Sequence, residues 1–192
     1  MDDVFTFSLL VAGPDLQTEE HLDALFDAGC DDATFGNREK IQYADFDREA
    51  PSLAEAIASA IHAIEKTVSG ALVFRVEPEE FVSLSAIATR TSRSRESIRL
   101  LASGERGPGG FPSPVSWVDA KTRVWRWTDV AQWFEKELGE PPSVSEDAET
   151  IATFNGLLET RVHMRRLPRE DERDVVTRFA REDHELSELL AV

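Results

Sequence analysis

The chain has 192 residues, 41% of them hydrophobic, and a formal net charge of −16 at neutral pH, enough apolar material for one large or two small packed units. No apolar run reaches the length of a membrane span, and Met1-Asp2-Asp3 lacks the basic start of a signal peptide, so the expectation is a soluble, cytoplasmic protein. Cys30 is the single cysteine, which excludes an intrachain disulfide and argues against a thiolate metal site, and it reads as a small packing residue near a helix end.

Residues 1–80 read as an α+β unit. Val4 to Val11 sets Phe5, Phe7, Leu9 and Val11 against Thr6 and Ser8, a strand with one buried face that ends at Gly13-Pro14. Thr18 caps a helix running to Ala28, with acids in its first turn and Leu22, Leu25 and Phe26 on one face. Asp32 to Phe35 and Ile41 to Phe46 form a strand pair turning around Gly36-Asn37. Ser52 caps a second helix, with Leu53, Ala56, Ile57, Ala60, Ile61 and Ile64 inward and a stop at Gly70, and Ala71 to Val76 is the last strand. The order β-α-β-β-α-β is that of a ferredoxin-like sandwich. Its sequence holds no Gly-rich phosphate loop, no metal-spaced cluster and no nucleophile–base pair, so neither an enzyme nor a cofactor or metal site is expected. His21 and His62 read as surface residues, and Asp31-Asp32 as turn chemistry.

Residues 81–138 have a different grammar. Leu84, Ile87 and Ala88, then Ile98, Leu101 and Ala102, give two short helices one buried stripe each. Between them lies Thr91-Ser92-Arg93-Ser94, in which Ser94 caps the second helix and Gly104 supplies its stop. Arg95 and Arg99 project from one face of that helix, away from Ile98 and Leu101, while Arg93, Ser94 and Ser97 surround its N-terminal end. A recognition helix meets base edges with those positions, and the planar fork of arginine matches a guanine edge. Gly107-Pro108-Gly109-Gly110, Pro112 and Pro114 forbid regular structure up to Val115. Val115 to Val118 and Arg123 to Trp127 then make a hairpin wing around Asp119 to Thr122. Trp125 and Trp127 anchor it, leaving Lys121 and Arg123 near its tip. Thr128 is read as the cap of a closing helix carrying Val130, Ala131, Trp133, Phe134 and Leu138.

Together Ser83 to Ala88, Ser94 to Arg99, Gly107 to Pro112 and Val124 to Trp127, leading into Val130 and Trp133, resemble the winged helix-turn-helix of the mercury-resistance-regulator (MerR) and excisionase type. The resemblance covers the middle third of the chain. It implies DNA contacts from Arg93, Arg95, Arg99, Lys121 and Arg123. An additional unit precedes the resembling segment and no long heptad-rich helix follows it, so MerR effector mechanisms are not carried over. The plainer alternative is a structural helix-turn-helix with a solvated arginine face.

Charge is unevenly spread. Residues 1–80 are net −13, residues 81–136 net +4 and residues 137–192 net −7, so the one positive segment is the proposed DNA-binding module, flanked by acids that repel DNA from the wrong face. Gly139-Glu140-Pro141-Pro142 reads as a stiff linker. A helix from Ser143 or Ser145 follows, with the stripe Ile151, Phe154, Leu158 and Val162 and with Arg161, Arg165 and Arg166 in its last turns. Pro168 ends it, and Arg169 to Leu190 makes a second helix with Val175, Val176, Phe179, Leu186 and Leu190. This helical hairpin, residues 139–192, should pack on itself and on another surface. Arg165, Arg166 and Arg169 read as a solvated cluster, and His163 and His184 carry no motif.

The expectation is therefore a transcriptional regulator that binds double-stranded DNA, working as a homodimer because one short recognition helix gives little specificity alone. The alternative is an antitoxin-like interaction module whose acidic ends neutralise a basic protein partner.

Overall fold

The computed structural model describes residues 3–78, 80–119, 122–140, 145–183 and 186. Alternation along β1 (Asp3–Ala12) and β3 (Ile41–Ala50) sends Phe7, Leu9, Val11, Ala44 and Phe46 into one core and leaves Thr6, Ser8, Asp45 and Asp47 on the opposite face. With β2 (Ala33–Arg38) and β4 (Leu72–Glu77) they make a four-stranded sheet of order β2-β3-β1-β4, antiparallel throughout. Helices α1 (Glu19–Asp27) and α2 (Leu53–Thr67) supply the covering layer. Thr18 and Ser52 cap them, and the six inward residues expected of α2 are all buried.

Two local expectations need correction and a third is extended. The β2–β3 turn is Glu39-Lys40, both at positive φ (52° and 71°), and not Gly36-Asn37. Gly36 instead lies within β2, where the Tyr43 ring crosses its backbone and leaves no room for a Cβ, while the Asn37 side chain accepts from Lys40 N at 3.1 Å. On α1 only Leu25 is buried, and Phe26 is 65% exposed, because α2 reaches only part of the apolar face. Asp32 does more than turn the chain. It takes a bidentate pair from the buried Arg48, with Nε and Nη2 each at 2.8 Å, and Arg48 also donates to Gly29 O and Ser59 Oγ, fastening β3 to the α1–β2 connection.

The second core belongs to β5 (Phe81–Ser83), α3 (Leu84–Arg90), α4 (Arg95–Ala102), β6 (Ser116–Asp119), β7 (Thr122–Arg126) and α5 (Trp127–Trp133), which continues into a π-helical turn at Phe134–Leu138. The strands form an antiparallel sheet of order β5-β7-β6. Thr128 is buried inside α5 and does not cap it; Trp127 N donates to Glu80 O at 2.7 Å, so the first helical N–H is already satisfied from across the sheet.

Helix α6 (Ser145–Arg166) ties the two cores together: Ala148 joins the second, and Ile151 and Leu158 join the first. It lies along the edge strand β4 and satisfies that edge with side chains. Asn155, almost fully buried, accepts from Val76 N at 2.8 Å and donates to Val76 O at 2.9 Å. Arg161 bridges Glu65 at 2.7 and 2.9 Å and Val73 O at 2.5 Å, while Glu65 accepts from Val73 N at 2.8 Å. Helix α7 (Glu170–Glu182) buries no residue. No helix among the described residues is long and apolar enough to cross a membrane.

Candidate nucleic-acid interface

Helix α3 starts at Ser83, whose hydroxyl accepts from Ala86 N at 3.2 Å, and ends in a turn closed by Thr91 N to Ile87 O and Arg93 N to Ala88 O. Ser94 then accepts from Ser97 N at 3.1 Å and opens α4. Ile87, Ala88, Ile98 and Leu101 are buried where the two helices meet. The glycine-rich loop after α4 is fixed on the same core: Trp133 Nε1 donates to Gly109 O and Trp125 Nε1 to Pro112 O, both at 3.0 Å, and Phe111 meets Trp133 edge-on at 4.9 Å. The exposed side of α4 is thus held by its contact with α3 beneath and a braced loop behind.

The expected site residues do not all share that surface. Arg95 is exposed at the first turn of α4 and makes no hydrogen bond or ion pair with a described residue. Ser94 is exposed but engaged as the cap, and Ser97 is half-buried. Arg99 is exposed and doubly held, by Glu96 at 3.0 to 3.1 Å and by Glu105 at 3.0 Å. These bonds hold both carboxyls below the usual range and push the guanidinium higher still. Arg93 was expected beside Arg95, yet it turns away, half-buried over the Phe134 ring, with Nη2 on Glu140 at 2.6 Å. Arg123 is exposed on β7. Lys121 lies outside the described residues.

Sequence reasoning missed Arg106, exposed on the loop after α4, and the carboxylates that hold Arg99. The Glu96–Arg99 pair was legible from its i,i+3 spacing. The Arg93–Glu140 pair joins residues 47 positions apart and had no local signal. Among the described residues no group of three His, Cys, Asp or Glu side chains could hold a metal ion. Burial raises the Cys30 thiol above its ordinary value, which makes it a poor nucleophile. Comparison with protein-family models, curated proteins and solved structures finds no match.

Proposed function

We propose that the protein is a sequence-specific DNA-binding transcriptional regulator of the cytoplasm, built from a ferredoxin-like N-terminal domain and a winged helix-turn-helix of MerR/excisionase type, and working as a homodimer. The observation that carries this reading is α4: capped by Ser94, seated on α3, with Arg95 exposed at the turn that would enter a major groove, on the one segment of positive net charge. The strand order β2-β3-β1-β4 with two covering helices supports the ferredoxin-like assignment. Arg95 is the primary base reader, Arg99 a second reader presented by Glu96 and Glu105, and Arg106 and Arg123 flank them. Arg93 braces α4 against the end of α5.

The test is binding to DNA from upstream of the protein's own gene, against scrambled DNA, at two salt concentrations. Arg95→Ala should cost about 1–3 kcal/mol on the specific site, and Arg99→Ala no more than that. Equal affinity for both DNAs, or no effect of Arg95→Ala, would remove the reading.

A second reading, an antitoxin-like module for a basic protein, is favoured by one observation: Asp45, Asp47 and Glu49 are exposed at alternate positions on the open face of β3. Asp47→Asn with Glu49→Gln would then abolish salt-sensitive binding of that partner while leaving DNA binding intact.

A further inference from the structure

The two edges of the N-terminal sheet are finished differently. β4 is closed by the side chains of Asn155, Arg161 and Glu65, whereas β2 is the opposite edge and no described strand pairs with its outer side. The bond from Asp47 N to Asp32 O sets the phase of the ladder. Thr34, Gly36 and Arg38 therefore bond β3, while Ala33, Phe35 and Asn37 turn their N–H and C=O groups outward. Ala33 N donates to Cys30 O, and Gln17 Nε2 donates to Phe35 O at 3.4 Å. The N–H groups of Phe35 and Asn37 and the carbonyls of Ala33 and Asn37 bond no described residue. β2 contains no proline and its pairing with β3 runs without a bulge, so the edge keeps the regular spacing that another strand can read.

Helix α1 lies beside this edge. Gln17, just ahead of the helix, reaches Phe35, and the chain leaving the helix feeds straight into Ala33. Helix α2 covers β1, β3 and β4 and packs on one flank of α1, so the other flank opens on the side of β2. Glu19, Leu22, Asp23 and Phe26, at i, i+3, i+4 and i+7, share one face of α1, and all four are exposed. α1 holds four acids and no lysine or arginine, and none of those acids makes an ion pair with a described residue. Of the cations on the two edge strands, Arg48 is taken by Asp32, and Arg38 and Lys40 sit at the turn, beyond the N-terminal end of α1.

We propose that the β2 edge and the acidic apolar face of α1 form a docking groove for an extended basic segment of another protein, which adds to the sheet as a fifth strand. The free groups of Ala33, Phe35 and Asn37 bond its backbone. Its lysine or arginine stems lie on Leu22 and Phe26 with their head groups at Glu19 and Asp23. Charge complementarity selects this occupant over a second copy of the chain, because pairing β2 with β2 of a copy turns two such helix faces toward each other and sets acid against acid. The groove lies apart from α4 and from the open face of β3, so the inference goes beyond both functional readings.

The probe is a labelled peptide of alternating arginine and valine, about ten residues long so as to span the strand, titrated into the full chain by fluorescence anisotropy without DNA. Saturable binding at about 100 µM or tighter is expected. The same peptide methylated on alternate backbone nitrogens keeps its charge and loses its ladder donors, and should bind at least about tenfold more weakly. Phe26→Ser should weaken the parent peptide about tenfold and Asp23→Asn about threefold; both side chains are exposed, and circular dichroism checks that the fold survives. Hydrogen exchange read by NMR should slow at the Phe35 and Asn37 amides when the peptide is added. Absence of saturable binding, equal binding of the methylated peptide, or unchanged exchange at both amides would overturn the proposal. A free chain that sediments as a dimer with those two amides already protected would also overturn it, by giving the edge to a second copy. No DNA is present and α4 takes no part, so failure here leaves the DNA-binding reading standing.

Discussion

Helices α6 and α7 follow one another in the chain and are built from similar residues, yet one is woven into the molecule and the other buries nothing. Helix α7 has the cleaner amphipathic pattern, with Val175, Val176 and Phe179 on one side and acids and arginines elsewhere, and those three residues are 53%, 42% and 61% exposed. Helix α6 lacks such a stripe because it divides its contacts: Ala148 goes to the second core, Ile151 and Leu158 to the sheet core, and Asn155 and Arg161 to the backbone of β4. A helix that serves two cores and a strand edge needs polar residues among its buried positions, and these blur the periodicity that a single apolar face would give. Amphipathicity therefore reports the capacity to be covered, whereas embedding is decided by partners elsewhere in the chain.

The sharpest way to break the contrast is to remove the polar anchor of α6. Asn155→Ala leaves Val76 N and O without partners in a buried strand edge, and should lower stability by about 2–6 kcal/mol, at about 1–3 kcal/mol for each orphaned group. Urea denaturation reads the change. A loss below about 0.5 kcal/mol would mean that water replaces the amide and that α6 is held by its apolar contacts alone.

The same contrast explains what was legible beforehand. β1 and α2 were readable residue by residue, since each buries one regular face on one partner layer. The turn of α3–α4 and the cap at Ser94 were readable because capping is local chemistry. The β2–β3 turn was misplaced because Gly36 serves the Tyr43 ring across the sheet, seven positions on, and not the bend. Arg48 on Asp32 and Asn155 on Val76 join residues separated by 16 and 79 positions, and nothing in either neighbourhood announces them. On the candidate interface, the exposure of Arg95 follows from helical spacing, but the capture of Arg93 by Glu140 depends on where α5 ends.

A smaller effect is expected where the connection from β4 meets the second core. Burial raises the Glu80 carboxyl above its ordinary value of 4.5, with Arg126 drawing it the other way. A folded-state value above the unfolded one means that the fold favours the protonated form. The stability linked to Glu80 is then fully present below pH 4.5 and is lost as pH rises through the folded value. Glu80→Gln keeps an acceptor for Arg126 and stays neutral. Its melting temperature should exceed that of the parent chain at pH 7, and the gap should close by about pH 4. A less stable variant at pH 7 would show that the ion pair with Arg126 outweighs the burial.

The smallest effect separates α7 from α6 most directly. Phe179 is the most exposed apolar side chain on α7, so Phe179→Ser removes a ring that the folded chain scarcely covers, and should change stability by less than about 0.5 kcal/mol. The same ring would matter if a second copy of the chain covered it in solution. In that case the parent chain's melting temperature would rise with protein concentration, by mass action, and Phe179→Ser would flatten that dependence. Melts over a hundredfold range of concentration distinguish the two: a flat parent curve keeps α7 a solvated helix and counts against any homodimer, a slope that survives in the variant puts a contact between copies elsewhere, and a slope lost in the variant makes the helix that buries nothing in one chain the seam between two.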